Sequence, residues 1–339
     1  MWSLEVSWLA LGLAVVCITA AGTRLVAIAD EVADRTGAGE ALIGATLLGA
    51  VTSLADITAV TSAAAQGYAS LAVSTAVGGI AAQTAFLAVA DVTLRRVNLE
   101  HAAASLPNLL SATVLLLILS LILVATLAPP MSLWSIHPVT PLLLLAYALG
   151  MRLVGAGHQQ PMWQPRITHE TRLDLRAENH PPRSGLSLAL GLLSTGAVVA
   201  GSGWLLGESG QALIHHLGLA ETAVGAMVVG VGTSLPELIT SVAAVRRGAL
   251  TLAVGGIIGG NTFDTLMVGV ADVAYREGPI YQHVDAPDRT LIALTLFMTA
   301  VVLLGLLYRQ RRGPGNIGLE SVVILIAYAL AMVLINLRY

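Results

Sequence analysis

Three acidic side chains, Asp56, Glu237 and Asp264, stand inside long apolar stretches of the sequence. A carboxylate at the centre of a membrane-spanning helix costs roughly 2.5–3.5 kcal/mol on insertion scales, so such residues are functional candidates. Asp56 and Glu237 each follow a threonine, Thr52 or Thr233, by four residues. That spacing puts hydroxyl and carboxylate on one helix face. Oxygen ligands of this kind suit Ca²⁺, and the same cluster could hold Na⁺ or protons.

These acidic residues belong to an internal repeat. Residues 44–92 align without a gap to residues 225–273 at a constant offset of 181, with 18 of the 49 pairs identical. Asp56 pairs with Glu237, and Gln83 pairs with Asp264, so the fourth position of the set is polar but neutral. Glycine-rich stretches beside these residues allow close helix approach and local unwinding, which frees backbone carbonyl oxygens.

The composition places this set of residues in a membrane. Of 339 residues, 56% are apolar and 11% are charged, whereas a soluble domain carries roughly 25% charged residues. A water-soluble domain is therefore excluded, and the lipid bilayer is the expected surroundings. The 17 basic residues are all arginine and the net charge is −3. This balance gives no reason to expect a nucleic-acid partner, and nothing in the sequence implies a protein partner.

The apolar runs predict an all-α polytopic membrane protein with ten transmembrane helices. These helices are predicted at about 7–28, 41–65, 70–92, 107–128, 139–155, 186–206, 221–245, 250–273, 290–308 and 318–337. A polar linker, 156–185, separates a first five-helix half, 1–155, from a second, 186–339. Because each half has an odd number of helices, the second copy of the repeat enters the membrane from the opposite side. Inverted repeats of this kind are typical of secondary transporters.

The arginines predict the orientation of the chain. If the N-terminus faces outward, 14 arginines fall in cytoplasmic connections and three on the outer side. Basic loop residues stay cytoplasmic. We therefore expect a multi-pass protein of the plasma (inner) membrane, with both termini outside and the 156–185 linker in the cytoplasm.

Two segments resemble a known family. Residues 230–237 (GVGTSLPE) and 259–264 (GGNTFD) resemble the second alpha-repeat of the sodium/calcium exchanger family, within the calcium/cation antiporter superfamily. Residues 52–56 and 78–83 are similar to a diverged first alpha-repeat. The ten predicted helices match the prokaryotic members of that family.

The resemblance implies a set of ion ligands from both repeats. The implied ligands are the side chains of Asp56, Gln83, Glu237 and Asp264, the hydroxyls of Thr52, Ser53, Thr233 and Ser234, and the carbonyls of Gly49 and Gly230. Several positions depart from the family pattern. Asp56 stands where the family usually has Glu, Gln83 where it often has Asn, and Gly79 and Gly260 where it commonly has Ser. Ala55 stands where the family has a proline, so the helix that carries Asp56 is expected to lack a kink.

The sequence thus predicts a secondary active antiporter that exchanges Ca²⁺, or a related cation, for Na⁺ at a carboxylate site in the middle of the membrane. A Ca²⁺/H⁺ or other cation/proton exchanger is the alternative, and a passive cation channel is a further one. A bland interpretation is that the acids are buried, protonated and hydrogen-bonded between helices. Neither an enzymatic activity nor a cofactor is expected. Asp91 and Asp272, which are also repeat-related, are expected at helix ends that water can reach.

Overall fold

The computed structural model describes residues 2–36, 49–94, 97–159, 163–164, 166, 184–311, 313 and 317–336. The regular elements of these residues are helices, apart from one isolated bridge between Leu133 and Ile136. The first half contributes α1 (Leu4–Thr36), α2 (Gly49–Thr52), α3 (Leu54–Ala65), α4 (Ala69–Thr93), α5 (Leu99–Ala103), α6 (Leu106–Leu127) and α7 (Val139–Gln159). The second half contributes α8 (Gly185–Leu217), α9 (Glu221–Thr233, with a π-helical turn over Gly225–Val229), α10 (Leu235–Arg247), α11 (Leu250–Ala274), α12 (Ala286–Tyr308) and α13 (Leu319–Asn336).

Seven of the described helices are long and apolar enough to cross a membrane: α1, α4, α6, α7, α8, α12 and α13. The pair α9 and α10, bent by 46°, adds an eighth if it is one span. Most of the predicted linker, and residues 41–48 of the predicted second helix, lie outside the described residues. Two predicted helices end well before the observed ones. The helix predicted at 7–28 continues to Thr36. The helix predicted at 186–206 continues to Leu217 because Gly207 and Ser209 pack inside the protein instead of forming a loop.

Helix α4 lies at the centre of the fold. In its most apolar window 89% of the residues are buried, against 17% in α7. Helix α4 packs against α9, α10, α11, α12 and α13, so elements of the second half surround it. Glycine allows α4 and α9 to pack closely, since a Cβ at Gly230 would lie 2.8 Å from the backbone N of Gly79. An apolar helix enclosed in this way suits the core of a membrane protein.

Both acidic helices are interrupted at repeat-related serines. Ser53 separates α2 from α3 and Ser234 separates α9 from α10, with ψ angles of −4° and 2°. These angles are far from the −42° of a regular α-helix, so each helix is locally distorted at its serine, although Ser234 N still donates to the Gly230 carbonyl. Pro236 contributes to the second break because it has no N–H for the carbonyl four residues earlier. The first break forms without a proline, because Ala55 stands at the corresponding position, and the expectation that this helix lacks a kink stays a prediction.

Asp91 and Asp272 are fully buried, which corrects the expectation that water reaches them. Asp91 accepts hydrogen bonds from Leu99 N (2.7 Å), Gly318 N (2.9 Å) and Ser321 Oγ (3.0 Å). Asp272 accepts hydrogen bonds from Ile280 N (2.8 Å), His137 N (2.8 Å) and Thr140 Oγ1 (2.6 Å). The corresponding donors differ by 181 positions, as the two aspartates do. Each carboxylate therefore satisfies backbone groups where a helix or turn begins, and needs no water.

Candidate cation-binding site

The two helix breaks position the candidate carboxylates. Asp56 lies in the first turn of α3 and Glu237 in the first turn of α10, directly after the serines at which the helices are interrupted. Gln83 and Asp264 lie about halfway along α4 and α11. All four are buried, with at most 6% of each residue exposed. The partial positive charge at the start of α3 and of α10 favours a carboxylate there.

Residues of the first repeat contact Asp264 of the second. The Ser53 hydroxyl donates to Asp264 Oδ1 at 2.6 Å, and the Gln83 amide donates to Asp264 Oδ2 at 2.8 Å. The same amide nitrogen lies 3.4 Å from Ser234 Oγ. Gln83 and Asp264 are repeat-related, so the two copies of the repeat meet at this pair. Both recorded donors to Asp264 are neutral groups.

The two threonines flank the other two carboxylates. The Thr233 hydroxyl lies beside Asp56, and that of Thr52 lies beside Glu237. The Thr233 hydroxyl is within hydrogen-bonding distance of the carbonyls of Val229 (3.0 Å) and Gly230 (3.1 Å). The Gly230 carbonyl also accepts from Ser234 N at 3.2 Å, so it keeps its helical hydrogen bond. Gly49, whose carbonyl is the last implied ligand, is the first residue of α2.

Several oxygens in this site accept no hydrogen bond. They are Oδ1 and Oδ2 of Asp56, Oε1 of Gln83, Oε2 of Glu237 and Oδ1 of Asn261. A buried acceptor without a donor loses its hydration and gains nothing in return, so such atoms are rare in folded proteins. The bland interpretation, in which hydrogen bonds between helices satisfy the acids, describes Asp264 but not Asp56. A bound cation or a hydrogen-bond donor would satisfy these oxygens.

The ligand set is mixed rather than a cage of carboxylates. Within the described ranges, no three acidic, histidine or cysteine side chains are grouped closely enough to hold one metal ion. The amide of Gln83 and the serine and threonine hydroxyls would have to complete the coordination shell. Such neutral oxygens are accepted by Ca²⁺ and by Na⁺, whereas a soft metal prefers sulfur or imidazole ligands.

The two glycines that replace family serines line this site. A Cβ at Gly79 would lie 3.1 Å from Ser234 Oγ and 3.7 Å from Asp56 Oδ1. A Cβ at Gly260 would lie 3.6 Å from Gln83 Oε1. A serine at either position would therefore bring a hydroxyl near the carboxylates, and the glycines leave two fewer oxygens there.

Sequence reasoning missed two buried polar residues that lie one helical turn from the carboxylates of the site. Asn261 is 1% exposed and donates to Thr84 Oγ1 at 3.0 Å, with its own Oδ1 unpartnered. Ser241 is 3% exposed and its hydroxyl has no partner. Asn261 lies three residues before Asp264, and Ser241 lies four residues after Glu237. Helical spacing from an acidic residue is therefore the signal that could have found both.

Sequence comparison assigns the chain to a family. The sodium/calcium exchanger protein family matches residues 6–153 and 186–336, which is most of the chain. The chain belongs to the sodium/calcium exchanger family. Its curated relatives include the putative antiporter CaxA of Alkalimonas amylolytica, 30% identical over 169 residues, and the sodium/calcium exchanger MaX1 of Methanosarcina acetivorans, 31% identical over 115 residues. These alignments cover 49% and 34% of this exchanger-family chain, and 51% and 33% of the relatives.

Solved structures share the fold of this family member. The sodium-calcium exchanger NCX_Mj, in crystals soaked with 10 mM Na⁺ and 10 mM Sr²⁺, superposes with a TM-score of 0.67 at 18% sequence identity. The superposition covers 99% of this chain and 100% of that one. The predicted all-helical membrane fold and the resemblance to the exchanger family are therefore confirmed. The division into two five-helix halves and the ligand roles stay predictions.

Proposed function

We propose that the chain is a secondary active antiporter that exchanges Ca²⁺, or a related cation, for Na⁺ by alternating access. One observation carries the proposal. Asp56, Glu237 and Asp264, which come from both copies of the repeat, are buried carboxylates, and some of their oxygens accept no hydrogen bond. The transported cations are the cargo of this site, and neither a resident cofactor nor an enzymatic activity is part of the proposal.

Electrostatics favours a cation at this site. Burial of a carboxylate without a partner costs several kcal/mol even after relaxation, and neighbouring carboxylates repel one another. A divalent cation, several Na⁺ ions or protons would each relieve both penalties. Because the divalent cation, Na⁺ and protons all bind the same carboxylate oxygens, they compete with one another. Competition for one site is what an exchanger requires, since one ion must leave before the other binds.

The proposal includes ten crossings in two inverted halves, 1–155 and 186–339, with alpha-repeats at about 44–92 and 225–273. The recurrence of the Asp91 hydrogen bonds around Asp272 at the same offset supports this duplication beyond the aligned segments. The arginine count supports a plasma-membrane protein with both termini outside and the 156–185 linker in the cytoplasm.

A cation/proton exchanger is the second candidate, and the two glycines favour it. Gly79 and Gly260 leave the site without two hydroxyls, and Ca²⁺ needs six to eight oxygen ligands. The shorter side chain of Asp56 also reaches less far than glutamate. A smaller ligand shell weakens Ca²⁺ binding more than it weakens proton binding.

Flux measurements test the proposed exchange. The purified protein is reconstituted into proteoliposomes, and ⁴⁵Ca²⁺ uptake is followed under an outward Na⁺ gradient, an outward H⁺ gradient, or neither. We expect uptake against the Ca²⁺ gradient only when a counter-ion gradient is imposed. Glu237→Gln should remove this uptake, and Glu5→Gln, which changes an exposed glutamate in α1, is the matched control.

The three outcomes separate the candidates. Uptake driven by Na⁺ supports sodium/calcium exchange, and uptake driven by H⁺ alone supports the cation/proton exchanger. Uptake that runs only down the Ca²⁺ gradient, whatever the counter-ion, identifies a passive channel and refutes antiport.

A further inference from the structure

A second group of buried carboxyl groups lies where α5 meets the start of α13. Glu100 is 1% exposed, Glu320 is 8% exposed, and the fully buried Asp91 lies beside them. Asp91 is satisfied by its three donors. In contrast, neither oxygen of Glu100 accepts a hydrogen bond, and the same holds for Oε1 of Glu320. Glu100 is therefore an acidic side chain that is almost completely buried and has no donor.

The two glutamates face each other across a glycine. Their Cγ atoms lie 3.2 Å (Glu100) and 2.8 Å (Glu320) from the position that a Cβ at Gly305 would take. Both side chains therefore meet at Gly305 of α12, and a hydrogen bond between their buried carboxyl groups would join them. Two ionised carboxylates offer only acceptors, so that bond requires a proton on one of them. Gly318 packs closely against the Glu320 carboxyl group, because a Cβ at Gly318 would lie 2.9 Å from Glu320 Oε1.

The side chain of Arg309, a neighbouring cationic group, is directed to backbone carbonyls. The Arg309 guanidinium donates to the His101 carbonyl through Nε (3.3 Å) and Nη2 (3.0 Å). The Nδ1 atom of His101 lies 2.6 Å from the Arg309 carbonyl oxygen. Arg311 is joined to this region through its carbonyl, which accepts from Asn98 N at 3.3 Å. The Arg309 guanidinium is thus bound by carbonyl groups and not by the carboxyl group of Glu100, whose oxygens accept no hydrogen bond.

The surroundings of Glu100 favour its acid form. Burial raises the pKa of Glu100 well above its ordinary value of 4.5, and the nearby carboxyl groups of Asp91 and Glu320 raise this pKa further. Burial disfavours the ionised form because the charge loses its hydration. Glu100 belongs to the short helix α5, outside the membrane-spanning helices.

The other half of the chain places a neutral hydroxyl at the equivalent position. Tyr281 is offset from Glu100 by 181 residues and is fully buried. Its hydroxyl lies 3.0 Å from Thr140 Oγ1, beside the capping carboxylate Asp272. A protonated Glu100 would present the same kind of O–H group at this position as Tyr281 does in the other half.

We propose that Glu100 and Glu320 form a proton-binding site in which the two carboxyl groups share one proton. Glu100 carries the proton and donates it to the carboxylate of Glu320, so the pair joins α5 of the first half to α13 of the second. The proton is retained at neutral pH. This site is separate from Asp56, Glu237 and Asp264, and the proposal does not rest on the proposed transport function.

Infrared difference spectroscopy tests the shared proton directly. Spectra of the purified protein in lipid are recorded at pH 7 for wild type, Glu100→Gln, Glu320→Gln and the surface control Glu5→Gln. The wild type minus Glu100→Gln spectrum should contain the carbonyl band of a protonated carboxyl group. Bands from the transport-site acids cancel because they are common to both proteins. Glu320→Gln should keep the band, since Glu100 stays buried, but should shift its frequency, because the acceptor of the proton changes from a carboxylate to an amide. Glu5→Gln should not change the band.

The other outcomes contradict the proposal. An unchanged carboxyl band in Glu100→Gln means that Glu100 is ionised in wild type. A wild-type band that appears only when Ca²⁺ is removed, together with loss of one bound ⁴⁵Ca²⁺ in Glu100→Gln, identifies a cation site instead. If Glu100→Gln does not fold, the double variant Glu100→Gln/Glu320→Gln replaces it, because two amides can form the hydrogen bond without a proton.

Thermal stability gives a second readout. The folded chain keeps this proton at pH values where an unfolded glutamate has released it, so the folded state binds more protons above about pH 4.5. Stability therefore falls as the pH rises towards the raised pKa of Glu100. We expect the melting temperature to fall less between pH 5 and pH 8 in Glu100→Gln than in wild type. Identical pH slopes in the two proteins would contradict a raised pKa at Glu100.

Discussion

Replacing Gly260 with serine tests whether missing hydroxyls limit Ca²⁺ binding. A Cβ at this position would lie 3.6 Å from Gln83 Oε1, which is ordinary van der Waals contact, so the serine fits without displacing its neighbour. Its hydroxyl would lie near an amide oxygen that accepts no hydrogen bond in the wild type. It therefore adds either a ligand for the ion or a donor that fixes the Gln83 amide.

The expected gain is that of one neutral oxygen contact. Such a contact contributes about 0.5–1.5 kcal/mol net, which corresponds to Ca²⁺ binding that is about 2- to 10-fold tighter. Gly79→Ser should give less, since a Cβ there would lie only 3.1 Å from Ser234 Oγ and that hydroxyl has to shift. We therefore expect both variants to bind Ca²⁺ more tightly than wild type, and Gly260→Ser to gain more affinity than Gly79→Ser.

The assay is ⁴⁵Ca²⁺ uptake into proteoliposomes as a function of Ca²⁺ concentration. Gly201→Ser is the matched control, because Gly201 lies in helix α8 and a Cβ there meets no atom within 4 Å. Half-saturation should move to lower Ca²⁺ concentration in Gly260→Ser and stay unchanged in Gly201→Ser. An unchanged or weaker affinity in Gly260→Ser, or an equal gain in the control, would refute the reasoning.

Four further predictions follow from the same structure. Glu237→Ala should abolish exchange while the melting temperature stays equal or rises, because a buried carboxylate is removed; near-normal transport would contradict its role. Ca²⁺ flux should fall as the pH is lowered, because protons compete for the carboxylates, and a flat pH profile would exclude that competition. With Cys17 replaced, a cysteine at the exposed Leu219 should react with impermeant reagents from outside and one at Ser184 only from the cytoplasm; the reverse labelling overturns the orientation. Asp272→Ala should lower the free energy of unfolding by several kcal/mol, measured by thermal denaturation, because three donors lose their acceptor; a wild-type melting temperature would exclude a capping role.

Much of the helical architecture could be predicted because apolar runs and the polar breaks between them indicate where helices begin and end. Helices α4 and α11 begin and end within one residue of the predicted 70–92 and 250–273. The break at Ser53 could not be predicted. It is set by packing between the two repeats, in which the Ser53 hydroxyl bonds Asp264 211 residues away.

The acidic residues of the site could be found from the repeat, but their partners could not. Helical spacing places Thr52 and Asp56 on one face, whereas the contact of Thr52 with Glu237 joins the two halves of the chain. The burial of Asp91 and Asp272 was missed for the same reason. A carboxylate at a helix end is solvated unless a distant segment supplies donors, and here a distant helix start does so.

Equilibrium binding of ⁴⁵Ca²⁺ to the purified protein tests most directly the claim that these carboxylates bind the exchanged cation. Wild type should show saturable binding that Na⁺ or H⁺ displaces. Asp264→Asn keeps the shape of the side chain and removes its charge, so it should lose this binding while its melting temperature stays near that of wild type. Saturable Ca²⁺ binding of unchanged affinity in a folded Asp264→Asn protein would contradict the assignment of the site.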